Sequence, residues 1–227
     1  PSAIDPVAFI PKELTTQIPE SIIFIIADGT GLSQYSLSYY TNSNFYLNQF
    51  EFIGLVTTHP NDSSKKVTDS AASGTALATG EKTYNGAISV DNNNIPIKTV
   101  IEWAEEQEML TGMVVTSTIT HATPACFATH VPSRKMEYEI ANQMSKSNIE
   151  VLFGGGGKYW SDESLKNFKE NNGIVIKDFN QLISDGQKVL GLFNEDALFP
   201  ADKRNVSTKD MTIKALGLLE KNKNGFF

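Results

Sequence analysis

A carboxylate stands directly after an apolar run of strand length near the start of the chain. Residues 21–27 read SIIFIIA and are followed by Asp28 in the segment ADGTG. In open α/β sheets, ligands bind beyond the carboxyl ends of the strands, where a carboxylate can hold a metal ion. The alternative is that Asp28 caps a following helix. A dinucleotide site is excluded, because the third glycine of the G-x-G-x-x-G pattern would fall at Gln34.

A serine in a reactive setting occurs in residues 68–74, TDSAASG. A hydroxyl at the start of a helix lies near free backbone N–H groups, which bind anions and stabilise an alkoxide. Ser70 is therefore a candidate nucleophile that needs a base or a metal for activation. The alternative is that Asp69 or Ser70 is a plain N-cap residue. No G-x-S-x-G motif is present, so a hydrolase-type serine triad is not supported.

The segment 120–134, THATPACFATHVPSR, contains further groups that could bind ions. His121 and Thr123 offer an imidazole and an oxygen ligand to a metal shortly after a predicted strand. Arg134 offers a guanidinium, which suits the bidentate binding of a phosphate. Each of these residue types, taken alone, is more often structural than functional.

Three weaker patterns complete the set of candidates. His59 and His130 are possible ligands by residue type only. The glycine run 154–157 resembles a phosphate-binding loop, but Lys158 is followed by Tyr159, so the P-loop ending is missing. A sharp turn after a strand is the better interpretation of this run.

The segments that position these residues alternate between strand and helix patterns. This alternation predicts an α/β fold, with a largely parallel central sheet flanked by helices. The predicted strands are 21–27, 52–58, 113–117 and 151–153, and the predicted helices are 70–79, 97–110, 137–144 and one that begins at Ser207 with Asp210 in its first turn.

The composition is that of a folded chain and excludes several classes of function. The 227 residues are 40% hydrophobic with a net charge of -7, so the basic footprint of a nucleic-acid-binding protein is absent. No apolar run approaches the roughly 18 residues that cross a bilayer. The first residues lack the basic start and apolar core of a signal peptide. Cys126 is the single cysteine, which excludes a disulfide within the chain.

Four segments together resemble the alkaline phosphatase family: IIFIIADGTG, VTDSAASGTALATGEKTYNGAI, THATPACFATHVPSR and VLFGGGGKYW. They occur in the family's order, and the resemblance runs from residue 21 to the last residue. It implies that 1–227 is the amino-terminal portion of one alkaline-phosphatase-like α/β domain, with 1–19 as an extended arm. Because residues 226–227 follow a helix where another strand would begin, we expect the chain to be truncated.

The resemblance implies hydrolysis of phosphate monoesters through a phosphoserine intermediate. By this resemblance Ser70 is the nucleophile, and Asp69 orients Arg134, which holds the phosphate. The DSAASG segment and the context of Arg134 favour monoesters over the diesters or sulfates of related hydrolases. The remaining alternative is a non-catalytic fragment.

The resemblance also implies two Zn²⁺ ions and one Mg²⁺ ion in the complete enzyme. Asp28 then bridges one zinc and the magnesium, Ser70 binds that zinc, and Thr123 lies near the magnesium. His121 stands at the third-metal position, where family members carry aspartate or histidine. The family's other ligands come from its carboxyl-terminal half, whose segments do not occur here. We therefore expect the isolated 227-residue chain to be inactive.

The expected partners are a phosphate monoester substrate and inorganic phosphate, with no nucleic acid and no transmembrane segment. The resemblance leaves a homodimer open for the full-length protein. It also implies a periplasmic or secreted location, although this chain carries no signal peptide.

Overall fold

The computed structural model describes residues 19–42, 44–181, 183 and 186–227. The predicted arm at 1–19 lies outside the described residues, except for its last residue. The chain divides into two compact units, of which the first comprises Pro1–Pro19 and Gly29–Thr57 and the second comprises Glu20–Asp28 and Thr58–Phe227. All candidate site residues belong to the second unit.

A four-stranded parallel sheet forms the centre of the second unit. Its strands are β1 (Gly112–Thr118), β2 (Val151–Gly155), β3 (Gly173–Ile176) and β4 (Lys188–Leu192). The strand order is β1-β2-β4-β3, and every neighbouring pair is parallel. Strand β2 is buried along its whole length, which explains its continuous apolar sequence. The predicted α/β fold with a largely parallel central sheet is confirmed.

The described residues form seven α-helices. They are α1 (Leu32–Thr41), α2 (Ser70–Thr79), α3 (Val100–Glu106), α4 (Ala122–Ala128), α5 (Glu137–Met144), α6 (Asp162–Glu170) and α7 (Thr208–Leu219). Short 3₁₀ helices cover Tyr46–Gln49, Gly157–Tyr159 and Ala201–Lys203. In the part of the chain that the structure describes, no helix combines the length and the apolar character that crossing a membrane requires.

The helix predictions hold, with one correction of length. Helix α2 covers the predicted residues and ends at Gly80, whose φ of 79° places it in the left-handed region that glycine adopts easily. Helix α3 is shorter than the predicted 97–110. A capping box between Thr99 and Glu102 sets its start, and Glu108 with a φ of 57° lies beyond its end.

Two predicted strands, 21–27 and 52–58, are wrong. Neither segment is in a strand, and their apolar side chains are largely exposed, among them Ile25 at 80% and Leu55 at 99%. A strand forms only where a neighbouring strand completes its hydrogen bonds. Ile22 donates its N–H to the carbonyl of Phe226 at 2.9 Å. The residues that follow line a cavity of about 480 Å³ whose other walls include β1.

The glycine run 154–157 begins at the end of β2 and then forms a sharp turn, as predicted. Gly156 has a φ of 98° and starts the 3₁₀ helix at Gly157–Tyr159. Its N–H donates to the carbonyls of Asn194 and Asp196, both at 3.0 Å. A Cβ atom added at the preceding Gly155 would collide with the backbone carbonyl of Asp196. Glycine at position 155 therefore permits the close approach of two backbone segments.

We predict that Gly155→Ala lowers the free energy of unfolding by about 1–3 kcal/mol, because a backbone segment must move to admit the methyl group. The matched control is Gly217→Ala in α7, where a Cβ atom would meet nothing within 4 Å. This control should stabilise the chain by roughly 0.5–1 kcal/mol, since alanine favours helix over glycine. Urea unfolding measures both changes, and equal stabilities of the two variants would contradict the prediction.

Candidate active site

The start of α2 brings Ser70 to a helix N-terminus. Asp69 is the N-cap residue, and its side chain accepts the N–H of Ala72 at 2.9 Å. Ser70 is the first residue of the helix. Its hydroxyl thus lies where free N–H groups and the helix dipole favour negative charge. Asp69 is a cap residue, and the structure gives its carboxylate a further partner as well.

That partner is Arg134, which follows α4 in the chain. Its Nη1 donates to Asp69 Oδ2 at 3.1 Å, and both side chains are partly exposed, at 29% and 28%. Its Nη2 lies 3.0 Å from Nε2 of His121. The structure therefore brings together Arg134, Asp69 and His121, three predicted site residues from two separate segments.

Asp28 also lies close to the start of α2. Its Oδ1 lies 3.5 Å from Ser70 Oγ, and its Oδ2 accepts the hydroxyl of Thr123 at 2.8 Å. These partners are 42 and 95 residues away in sequence. Helix α1 has Gly31 as its N-cap residue, so the alternative that Asp28 caps this helix is wrong.

The surroundings of His121 disfavour its protonated form. Burial lowers the pKa of the imidazole, and the positive charge of Arg134 lowers it further. The carboxylates of Asp28 and Glu137 act in the opposite direction without reversing the shift. Because a guanidinium has only donors, Nε2 of His121 accepts and its proton resides on Nδ1.

The sequence and the structure were compared with known proteins. A family model described as alkaline phosphatase matches residues 20–227. The chain belongs to the alkaline phosphatase family. The predicted family is thereby confirmed.

Two similar members of the alkaline phosphatase family come from Bacillus subtilis. Alkaline phosphatase 4 of Bacillus subtilis is 42% identical over 229 residues, which cover 91% of this chain and 50% of the relative. Alkaline phosphatase 3 of the same organism is 39% identical, covering 92% of this chain and 49% of the relative. The chain thus spans about half the length of the curated relatives it matches.

Solved alkaline phosphatases share the fold. The enzyme from the Antarctic bacterium TAB5 matches with a TM-score of 0.84 at 33% identity, covering 92% of this chain and 64% of that structure. A variant of the TAB5 enzyme, solved with magnesium bound in a site called M3, matches with a TM-score of 0.80 at 33% identity, over 92% of this chain and 63% of that one. The alkaline-phosphatase-like character of the predicted α/β fold is confirmed.

His59 and His130, which the sequence offers as possible metal ligands, have other partners in the structure. His130 Nδ1 lies 2.8 Å from the carbonyl of Ser89, and its Nε2 lies 3.1 Å from Glu102 Oε1. His59 contacts Lys82, whose Nζ lies 3.2 Å from His59 Nδ1. Neither histidine joins the group around Asp28 in the contacts of the described residues, so the structural alternative holds for both.

Asp28, Ser70 and Thr123 offer three oxygen ligands, which suit a hard divalent cation. Within residues 19–227, apart from the few that the structure leaves undescribed, no group of three or more His, Cys, Asp or Glu side chains is arranged to hold a metal ion. Catalytic zinc usually has three protein ligands. The described residues of this chain therefore fit part of a cation site.

Two residues near the site, Glu137 and Asn85, were not predicted from the sequence. Glu137 accepts the hydroxyls of Thr118 and Thr120 at 3.2 and 2.6 Å, and its charge acts on His121. Asn85 contacts the loop that precedes Ser70, where it accepts the N–H of Asp69 at 3.1 Å. The Asn-Gly dipeptide at 85–86 is a turn signal that could have drawn attention to this segment.

Proposed function

We propose that this protein, as part of a complete alkaline phosphatase, hydrolyses phosphate monoesters through a phosphoserine formed at Ser70. The observation that carries the proposal is the position of the Ser70 hydroxyl. It lies at the N-terminus of α2, 3.5 Å from a carboxylate oxygen of Asp28, on a helix whose cap residue binds Arg134. Membership of the alkaline phosphatase family supports this choice of reaction.

Divalent cations belong to the proposal. Asp28 and Ser70 would hold a zinc ion, and Asp28 and Thr123 would hold magnesium, with His121 beside them. The TAB5 variant with magnesium bound in its M3 site supports the magnesium part of this proposal. When bound, a divalent cation lowers the pKa of an oxygen ligand and neutralises charge that develops during phosphoryl transfer.

The residues of this chain then have distinct tasks. Ser70 Oγ attacks phosphorus in line with the ester oxygen, so an O–P bond forms at the serine while the bond to the alcohol breaks. The serine hydroxyl proton passes to solvent, and the departing alkoxide takes up a proton from solvent. Water then cleaves the phosphoserine, which restores the Ser70 hydroxyl and releases inorganic phosphate.

Arg134 and the start of α2 bind the phosphoryl group in this proposal. A guanidinium binds phosphate oxygens through charge-assisted hydrogen bonds, and the N–H groups of the helix start add further donors. Asp69 orients the guanidinium through its 3.1 Å contact with Nη1. Positioning and charge neutralisation account for most of the rate enhancement in phosphoryl transfer.

Family membership alone supports two further expectations for the full-length protein. We expect a location outside the cytoplasm, either periplasmic or secreted. The second expectation is that the full-length protein can form a homodimer. Size measurement and cell fractionation of the full-length protein test these expectations.

We predict that Ser70→Ala, in a chain of full family length, lowers turnover of p-nitrophenyl phosphate by several orders of magnitude, because the attacking oxygen is removed. The fold should survive, as judged by circular dichroism. The matched control is Ser73→Ala in the same helix turn, whose hydroxyl donates to the Asp69 carbonyl at 2.8 Å. This control should keep most of the turnover.

Comparable turnover by the Ser70→Ala variant would exclude Ser70 as the nucleophile. A phosphodiester and a sulfate ester serve as parallel substrates in the same assay. Faster turnover of either one than of the monoester would assign the protein to the related diesterase or sulfatase activities.

We predict that Arg134→Ala weakens the binding of inorganic phosphate to the full-length protein by at least tenfold. The variant loses charge-assisted hydrogen bonds worth about 1.5–3 kcal/mol each. Calorimetric titration measures the affinity, and Lys135→Ala is the control, because this neighbouring cation is exposed. Unchanged affinity in the Arg134 variant would remove the guanidinium from the phosphate site.

We predict that the 227-residue chain alone binds zinc weakly and turns over p-nitrophenyl phosphate hardly at all. Without three protein ligands a zinc ion is poorly held, and the serine hydroxyl keeps an alcohol-like pKa. The assay uses purified chain with added zinc and magnesium. Enzyme-like turnover that Ser70→Ala abolishes would show that these residues suffice.

A further inference from the structure

Asn85 clamps the loop that leads into Ser70. Its Oδ1 accepts the backbone N–H of Asp69 at 3.1 Å, and its Nδ2 donates to the backbone carbonyl of Val67 at 3.0 Å. An N–H can only donate and a carbonyl can only accept, so the two contacts fix the orientation of the amide. The Asn85 side chain therefore makes hydrogen bonds to the backbone of the two residues on either side of Thr68, as a neighbouring strand would.

Gly86 continues this contact toward Arg134. Its N–H donates to Asp69 Oδ1 at 3.2 Å, and its carbonyl accepts the backbone N–H of Arg134 at 2.7 Å. Its φ of 95° is in the region that favours glycine. One peptide segment thus touches the cap residue of α2 on one side and the phosphate-binding candidate on the other.

The neighbouring residues hold this segment against the Arg134 loop. Ile88 and Val131 exchange two backbone hydrogen bonds of 3.0 Å in an antiparallel bridge. The hydroxyl of Tyr84 donates to the carbonyl of Pro132 at 2.9 Å. Contacts on both flanks of Asn85–Gly86 therefore fix its direction relative to Arg134.

The ion pair between Arg134 and Asp69 cannot supply this alignment by itself. Both side chains are more than a quarter exposed, and pairs of this kind contribute little free energy in water. A guanidinium on a long side chain needs a fixed backbone origin to meet a target with a narrow geometry. The backbone hydrogen bond from Arg134 to Gly86 provides that origin.

We propose that Asn85 and Gly86 are positioning residues, which set the loop of Asp69 and Ser70 and the backbone of Arg134 in one frame. This inference rests on the proposed function for the meaning of the alignment. It assigns to these two residues neither a proton transfer nor a ligand.

The test compares Asn85→Ala with Asn93→Ala in the 227-residue chain by nuclear magnetic resonance. Asn93 is a matched control, since its described hydrogen bonds go to Asp91 in an exposed turn. In Asn85→Ala the Asp69 amide should exchange with solvent about three- to tenfold faster, as expected for the loss of one hydrogen bond. The amides of β2 and β4 should keep their wild-type exchange rates in both variants.

The side-chain resonances of Arg134 give a readout that a merely structural residue would not change. Rotation of the guanidinium, seen as averaging of the Nη resonances, should be faster in Asn85→Ala than in wild type and unchanged in Asn93→Ala. Gly86→Ala is the second variant, because its φ is unfavourable for alanine while a Cβ atom there meets nothing within 4 Å. It should speed exchange at the Arg134 amide as well.

Two results would overturn the proposal. One is wild-type exchange at Asp69 and unchanged rotation of Arg134 in Asn85→Ala. The other is uniformly faster exchange that includes β2 and β4, which would show a general loss of stability. Neither measurement needs substrate, metal or turnover, so failure of the phosphatase proposal would leave this result interpretable.

Discussion

The carboxylate of Asp69 accepts hydrogen bonds from the helix that it caps and from two other segments, 17 and 65 residues away in sequence. Oδ1 accepts the N–H groups of Ala72 and Gly86 at 2.9 and 3.2 Å, and Oδ2 accepts Nη1 of Arg134 at 3.1 Å. A single side chain thereby caps α2, binds the turn at Gly86 and holds the guanidinium. Ser70 takes its position from the start of α2, so the arrangement of the candidate site depends on this carboxylate. A cap bond of this kind contributes about 1 kcal/mol, and the partners at Gly86 and Arg134 add orientation to it.

The close packing of helices α2 and α4 supports this arrangement. Helix α2 carries Ser70 and helix α4 carries Thr123, and the two are in contact through small residues. A Cβ atom at Gly74 would lie 3.1 Å from Cys126 Sγ, so a larger residue would require Cys126 or its helix to shift by a few tenths of an ångström. Burial raises the pKa of the Cys126 thiol to about 12, which makes this cysteine an inert part of the core. The alanine-rich sequence of α2 thus serves the short distance between the two helices.

The parallel sheet explains why candidate site residues from separate segments meet. Strand β1 ends at Thr118, and α4 starts four residues later at Ala122, which places His121 and Thr123 just beyond the carboxyl end of the strand. Asp28 ends the segment that lines the cavity facing β1, and it meets Thr123 there. Sites of open α/β sheets lie beyond the carboxyl ends of parallel strands. The local charge is mixed, because burial and the guanidinium of Arg134 lower the pKa of His121 while the carboxylates of Asp28 and Glu137 raise it.

The sequence by itself determined the fold class, the family, strands β1 and β2 of the sheet, the limits of α2 and α5 and the start of α7. It also determined the residues Asp28, Asp69, Ser70, Thr123 and Arg134 as candidates, because their types and local patterns limit what each can do. Only the tertiary structure decided which of them meet, since hydrogen bonds between Asp28 and Thr123 span 95 residues and leave no local pattern. It also decided that His59 and His130 have other partners, and that Asn85 forms a hydrogen bond with the loop before Ser70. The strand predicted at 21–27 failed for the same reason. An apolar run shows that a segment is suited to burial, whereas a strand depends on backbone partners supplied by another part of the fold.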